Sequence, residues 1–174
     1  MVLVGATLAI ACRERAAGDA SDSFLKAEWR GKDTAEIRGP ATAEWCDSLR
    51  LLEIQALRGD TGVAIAIYPA RQVEAGRLRV IPPTPTDSTR PRAAVVLRWF
   101  AETSIRGFQG DSGAVVLEQP RRGVLTGTFN ASAHSVTDTA HIMIRGNFRN
   151  LTVRPASREC PARPEHPDTN AGVH

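Results

Sequence analysis

Alternation of apolar and polar residues, in short runs broken by Gly, Pro, Asp or Asn, dominates this chain from residue 24 to the proline-rich tail that begins at Pro155. In GVAIAIY, residues 62–68, Val63, Ile65 and Ile67 fall on one face. Leu52, Ile54 and Ala56 do so in LLEIQAL, as do Val95, Leu97 and Trp99 in AAVVLRWF, with Arg98 on the opposite face. Val115 and Leu117 repeat the pattern, and so do Ile142 and Ile144 in HIMIRG. A period of two is the signature of half-buried strands, and no run at helical spacing outlasts two turns. The chain is therefore expected to be all-β, an antiparallel sandwich or partly open barrel of about eight or nine strands. At 174 residues, 42% hydrophobic and 24% charged, it has the composition of one globular domain with a real core.

The turn signals are specific. Gly59-Asp60-Thr61-Gly62 and Gly110-Asp111-Ser112-Gly113 each precede an alternating apolar run. Glycine supplies positive φ, and Asp, Ser and Thr side chains bond a turn backbone. Both are read as tight hairpins. The first would join LLEIQAL to GVAIAIY, and the second would join part of AETSIRGF to GAVVLEQ. A third hairpin is expected between GVLTGTF (123–129) and HIMIRGNF (141–148), which both end in Gly-x-Phe, with the polar NASAHSVTDTA as its link. The proline-rich segment 82–92 reads as a loop between two β-rich halves.

Gly110-Asp111-Ser112-Gly113 also resembles the sequence around the nucleophile of trypsin-like serine proteases, which would make Ser112 the nucleophile. In that family the histidine and aspartate precede the serine. Here His134, His141, His166 and His174 all follow it. A serine hydrolase using Ser112 is thus an alternative, and no catalytic residue is assigned. His134 and His141 lie in a polar loop and at a strand start, and no Cys/His spacing or oxygen-rich loop marks a metal site. No metal or cofactor is expected.

Residues 2–11, VLVGATLAIA, are apolar or small and end at Cys12. A bilayer-spanning helix needs about 20 such residues, so this length suits the apolar core of a secretory signal peptide. Leu8-Ala9-Ile10-Ala11-Cys12 resembles the lipobox of bacterial lipoproteins, with Ala9 where leucine is commonest. The resemblance implies cleavage before Cys12, lipidation of that cysteine, and a location in the cell envelope, anchored to a membrane. Residues 1–11 would be the signal peptide and 12–23, polar and small, a flexible tether. The domain would span 24–160 and a disordered tail 161–174. A Gly-Thr-Phe strand, polar hairpin and closing Gly-x-Phe strand are also loosely similar to β-rich domains of bacterial lipoproteins. With Cys12 lipidated, Cys46 and Cys160 remain as an even pair, and an exported chain with two cysteines suggests a disulfide. A bridge closing so long a loop would stabilise by about 4–5 kcal/mol in the chain-entropy picture.

The net charge is +3, carried almost entirely by arginine. The arginines are dispersed among acids rather than gathered on one stripe, which argues against nucleic acid as a partner. Trp29, Trp45 and Trp99 are read first as core, with Trp29 and Trp45 as the alternative platform for a carbohydrate or peptide. The sequence thus suggests a lipid-anchored envelope protein with a non-catalytic role, binding an unidentified ligand or envelope protein or serving as structure.

Overall fold

A computed structural model of the chain describes residues 23–32, 34–69, 72–82, 90–101 and 104–156. The expected signal peptide, the expected tether except Ser23, and the expected tail, with Cys12 and Cys160, lie outside the described residues. Within them the chain is all-β. Nine strands run β1 Phe24–Arg30, β2 Thr34–Cys46, β3 Leu51–Arg58, β4 Thr61–Tyr68, β5 Gly76–Val80, β6 Arg92–Ala101, β7 Ser104–Leu117, β8 Val124–Ser135 and β9 His141–Pro155. They form one sheet closed into a barrel in the order β1-β2-β3-β4-β6-β5-β7-β8-β9. Of the two architectures left open by the sequence, the chain takes the barrel and closes it.

Closure follows from β1. Leu25, Ala27 and Trp29 point inward, at 0%, 0% and 6% exposure. Both edges of the strand are paired, with β2 from Phe24↔Pro40 to Arg30↔Thr34 and with β9 from Phe24↔Arg149 to Arg30↔Met143. A closed ring removes the exposed strand edge that would otherwise invite aggregation. Segment 82–92 does not divide two halves, because β4 pairs with β6 from Thr61↔Trp99 to Tyr68↔Arg92. The short β5 is inserted between β6 and β7 at one end of the barrel, parallel to β6 and antiparallel to β7. We call this the proximal end. It also carries Phe24, Cys46, Tyr68, Leu117 and Pro155, whereas Arg30, Arg58, Ser104, Ser135 and His141 lie at the distal end.

The alternating residues fill the interior as expected: Leu52, Ile54, Val63, Ile65, Ile67, Val95, Leu97, Val115 and Ile144 are essentially inaccessible. At the distal end three rings stack across strands, Trp29 on Trp99 at 5.5 Å and Trp99 on Phe108 at 5.1 Å between centroids.

The first expected hairpin is present. Arg58 pairs with Thr61, and Gly59 takes φ 55° in the turn. The second is not a hairpin. Gly110–Gly113 lies inside the continuous strand β7, which pairs with β8 on both sides of a bulge between Gly110 and Ser112. The chain reverses instead between β6 and β7, where Ala101 pairs with Ser104. The third hairpin joins the expected strands with a shorter link, since β8 runs on through Ser135 and NASAHS is strand.

The two Gly-x-Phe segments explain the β8–β9 register. Gly127 pairs with Phe148, and Phe129 pairs with Gly146. Each ring lies over the glycine opposite: a Cβ on Gly127 would meet Phe148 Cζ at 2.5 Å, and one on Gly146 would meet Phe129 Cζ at 2.6 Å and also the Lys26 carbonyl oxygen. Phe148 and Phe129 are buried as a result, at 0% and 3% exposure, which is worth about 1.5–3 kcal/mol per side chain. Gly39 is buried too, yet a Cβ there would find its nearest neighbour at 3.7 Å.

Gly127→Ala and Gly146→Ala are therefore expected to destabilise the barrel by about 1–3 kcal/mol through overpacking. Gly39→Ala should be neutral or gain about 0.4–1 kcal/mol from the less flexible unfolded chain. Urea midpoints of the three variants check this, and equal midpoints would show that the rings do not depend on the glycines.

Candidate functional site

The bulge in β7 brings an aspartate, a serine and a histidine together on the barrel's outer wall. One of its glycines is dictated by backbone approach and the other sits tight against a side chain. Gly113 has φ 131°, and a Cβ there would run into the Asn130 carbonyl oxygen. A Cβ on Gly110 would meet Val80 Cγ1 at 3.0 Å. The bulge inserts one residue, so Phe108 faces inward before it and Val115 and Leu117 after it, although their numbers differ in parity. Asp111 and Ser112 are left exposed on the wall.

Across the sheet, β8 carries His134 on the same wall. Asp111 Oδ1 lies 2.6 Å from His134 Nδ1, with the two side chains 39% and 38% exposed. Gln109 pairs with His134, and Ser112 with Ser132. On the other side of β8, His134 pairs directly with His141 of β9. The β8–β9 turn that delivers His141 is organised by Ser135, a buried polar residue at 5% exposure. Its hydroxyl accepts from the Asp138 amide at 3.2 Å, and Asp138 Oδ1 accepts from the Ala140 amide at 2.8 Å. The Ala140 amide, then the Ser135 hydroxyl, holds the Asp138 carboxyl below its ordinary pKa. Asp111, Ser112, Ser132, His134 and His141 thus occupy neighbouring positions on one face.

The chemistry of this face centres on His134. A neutral imidazole donating Nδ1–H to Asp111 leaves the Nε2 lone pair outward, able to take a proton or bind an electron acceptor. Among the described residues no hydrogen bond joins Ser112 to His134. Nor do three or more His, Cys, Asp or Glu side chains there gather as a metal-holding group.

A second feature lies at the proximal mouth, where a cavity of about 270 Å³ is lined by Ile67, Pro69, Val73, Leu78, Pro91 and Leu117 among others. Nearer the middle of the wall, Lys26 Nζ bridges Glu28 and Glu36 at 3.1 Å each, and Arg145 Nη2 lies 3.0 Å from Glu28. The hydrogen bond from Lys26, then that from Arg145, holds the Glu28 carboxyl below its usual pKa. Hydrogen bonds to Glu28 and Glu36 hold the Lys26 ammonium above its own.

The remaining sequence-derived candidates fall elsewhere. Cys46 ends β2 at 6% exposure, with its sulfur 3.4 Å from the Ser48 hydroxyl. Beside it Trp45 pairs with Pro155, and the Ala156 amide donates to the Trp45 carbonyl at 2.9 Å. Trp29 is interior and stacked. Trp45 is half-buried, and its indole N–H donates to Asp47 Oδ1 at 2.6 Å. Gly59–Gly62 forms a turn whose Asp60 carbonyl accepts from the Phe100 amide at 3.2 Å. The sequence places His134 in a polar loop, whereas it is a residue of strand β8.

Comparison of the chain with protein-family models, with curated proteins and with solved structures finds no match.

A carboxyl depressed in the folded state contributes stability above its unfolded pKa and loses it as pH falls through the folded value. With an unfolded Glu near 4.3, the Glu28 contribution is expected to disappear on acidification below about pH 5. Unfolding midpoints of Glu28→Gln should therefore fall less steeply with acid than those of the parent chain. Parallel pH profiles would mean that the network is too well solvated to couple to folding.

Proposed function

We propose that this chain is an exported, lipid-anchored envelope protein whose barrel has a non-catalytic binding role, its ligand a small apolar molecule or acyl group held at the proximal mouth. The observation that carries the reading is the proximal cavity. Its volume approaches that of small-molecule sites, and apolar walls from Ile67, Val73, Leu78 and Leu117 suit an apolar guest. Elsewhere the described interior is filled with packed apolar side chains, which supports binding at a mouth rather than in a central channel.

The anchor rests on the Leu8–Cys12 resemblance. It is compatible with the position of Ser23, whose hydroxyl donates to the Asn150 carbonyl at 2.6 Å at the proximal end. Each residue of an extended tether spans at most about 3.3–3.6 Å, so residues 12–22 are long enough to hold that end near a membrane surface. One acyl chain binds membranes weakly, so stable attachment calls for the multiple acylation of bacterial lipoproteins. The Cys46–Cys160 bridge belongs to the same reading. Its support is the pairing of β2 with β9, which brings the chain at Ala156 alongside Trp45.

Intact mass spectrometry of the full chain from a lipoprotein-processing bacterium is expected to show a mature protein starting at an acylated Cys12. Reduction should add about two mass units for one disulfide. An unprocessed chain with free thiols would end the envelope reading. For the ligand, a fluorescent fatty acid is expected to bind saturably to the parent and at least tenfold more weakly to Ala75→Trp, which fills the cavity from its rim. Equal binding by both would exclude the mouth.

One contact favours a second reading. The Asp111–His134 hydrogen bond orients an imidazole by the residue next to Ser112, although no hydrogen bond joins the two, and hydrolysis by Ser112 would need the imidazole to reach its hydroxyl. A fluorophosphonate probe that labels the parent but not Ser112→Ala would sustain it, and an unlabelled parent would sink it.

A further inference from the structure

The hairpin β8–β9 brings together two histidines with a geometry suited to metal capture. His134 and His141 are direct partners in the ladder. The next rung is hydrogen-bonded, with the Ser135 amide donating to the Ala140 carbonyl at 2.8 Å. Bonded and non-bonded rungs alternate in an antiparallel pair, so the His134–His141 rung is the non-bonded kind. There side chains stand closest, with Cα atoms about 4.5 Å apart and Cβ atoms about 4.5–5.5 Å apart. Both residues lie on the outer wall, since their neighbours Ala133, Ser135 and Ile142 face inward.

Asp111 sets the direction. It lies on the β7 side of β8 and engages His134 Nδ1 at 2.6 Å. The two nitrogens of an imidazole ring point away from each other, so Nδ1 directed toward β7 turns Nε2 away from β7, the direction in which β9 and His141 lie. A carboxylate on the far nitrogen of a ligating histidine fixes its tautomer and raises its basicity, the usual support of protein metal sites. His134 therefore carries an orienting partner before any metal arrives.

We infer that His134 and His141 form a two-imidazole surface site for a divalent transition-metal ion, copper(II) above all, with Asp111 positioning His134 from behind. The donor set selects the ion. Imidazole suits copper, nickel and zinc, and copper(II) stands highest in affinity for nitrogen ligands. Zinc sites hold three or four protein ligands, more than the two imidazoles of this wall provide. Tetragonal copper(II) accepts two cis imidazoles and completes its coordination with water or an incoming ligand. The site is separate from the proximal cavity and stands whether or not that cavity binds a guest.

The test is a titration of the full, oxidised chain with copper(II) in the presence of glycine as a weak competitor, read by electron paramagnetic resonance. The expected result is one equivalent bound with nitrogen coupling from two imidazoles, together with a rise in the unfolding midpoint. His134→Asn and His141→Asn should each abolish the two-nitrogen signal, and His141→Asn should leave the metal-free midpoint unchanged. A His166→Asn/His174→Asn variant should retain the signal. Asp111→Asn should keep both imidazoles but bind about 10–100-fold more weakly. A two-imidazole signal that survives His141→Asn, or that disappears in the His166/His174 variant, would overturn the assignment. Undiminished affinity in Asp111→Asn would overturn the positioning role.

Discussion

The reciprocal packing of Phe129 over Gly146 and Phe148 over Gly127 is the constraint on which the rest of the barrel depends. Two antiparallel Gly-x-Phe segments can be paired so that each ring covers the opposite glycine in one register alone. A shift by two residues would set ring against ring in one direction, a clash, or glycine against glycine in the other, a void. A shift by one would turn every inward side chain outward. The ring–glycine fit therefore acts as a register lock, and its effect extends well beyond the two rungs. From Gly127↔Phe148 the ladder runs without a break to His134↔His141. The lock that packs the middle of the barrel thus fixes which side chains meet at the distal end of the wall.

Two bulges adapt this rigid register to a closed ring. In β9 the ladder shifts where Leu125 pairs with Leu151 and Gly127 with Phe148, and Asn150 takes φ 55° at that point. Inward positions change from Ile142, Ile144 and Phe148 to Leu151, again crossing parity. In β7 the shift at Gly110–Ser112 does the same. Each bulge raises local twist and bends its strand, which long strands need in order to wrap a narrow barrel. Gly113 meets the Asn130 carbonyl so closely that no side chain fits. The Gly-Asp-Ser-Gly sequence is therefore explained by barrel curvature, without reference to a nucleophile. What it exposes on the wall, an aspartate beside a histidine, is a consequence of the extra residue.

These two devices also mark how far the sequence could be read. Alternation identified the inward faces of β3, β4 and β6 because the β3–β4 and β4–β6 ladders run without a register shift, with apolar residues at every second position. The turn at Gly59 was legible because positive φ at a glycine between two such runs has few other uses. Gly110–Gly113 carries nearly the same residues, but a bulge and a turn make the same local demands on φ and side-chain bonding. They differ in which strand lies opposite, and that is a long-range fact. The second half of β8 was hidden for another reason. Its inward positions are Ala131, Ala133 and Ser135, small because the Trp29–Trp99–Phe108 stack occupies the space, and Phe108 pairs directly with Ser135. A strand whose inward face is alanine and serine reads as polar, so His134 was placed in a loop. The twin Gly-x-Phe segments were visible, and pairing them ring over glycine would have set His134 opposite His141 from sequence alone. The approach of Asp111 would not have followed, because it depends on the bulge.

The division between interior and wall bears on where chemistry can reside in such a molecule. A nine-stranded barrel filled with isoleucine, leucine, valine and stacked aromatics has little room and few polar groups inside, so a recognition site must use a mouth or the outer surface. At the proximal mouth, the strand ends Ile67, Leu78 and Leu117 meet residues 72–75 between β4 and β5, and the space left there is lined mainly by apolar side chains, with Gln72, Glu74 and Arg77 beside them. On the distal wall the logic is reversed. Outward positions are free of packing demands, so titratable side chains can be placed there at no cost to the core, and the ladder beneath holds their Cβ atoms at fixed spacing. Asp111, His134 and His141 come from three adjacent strands, each held by a register that the core requires for its own reasons. Their Cβ positions are therefore set by the barrel, which lowers the entropic cost of any ligand that engages all three side chains.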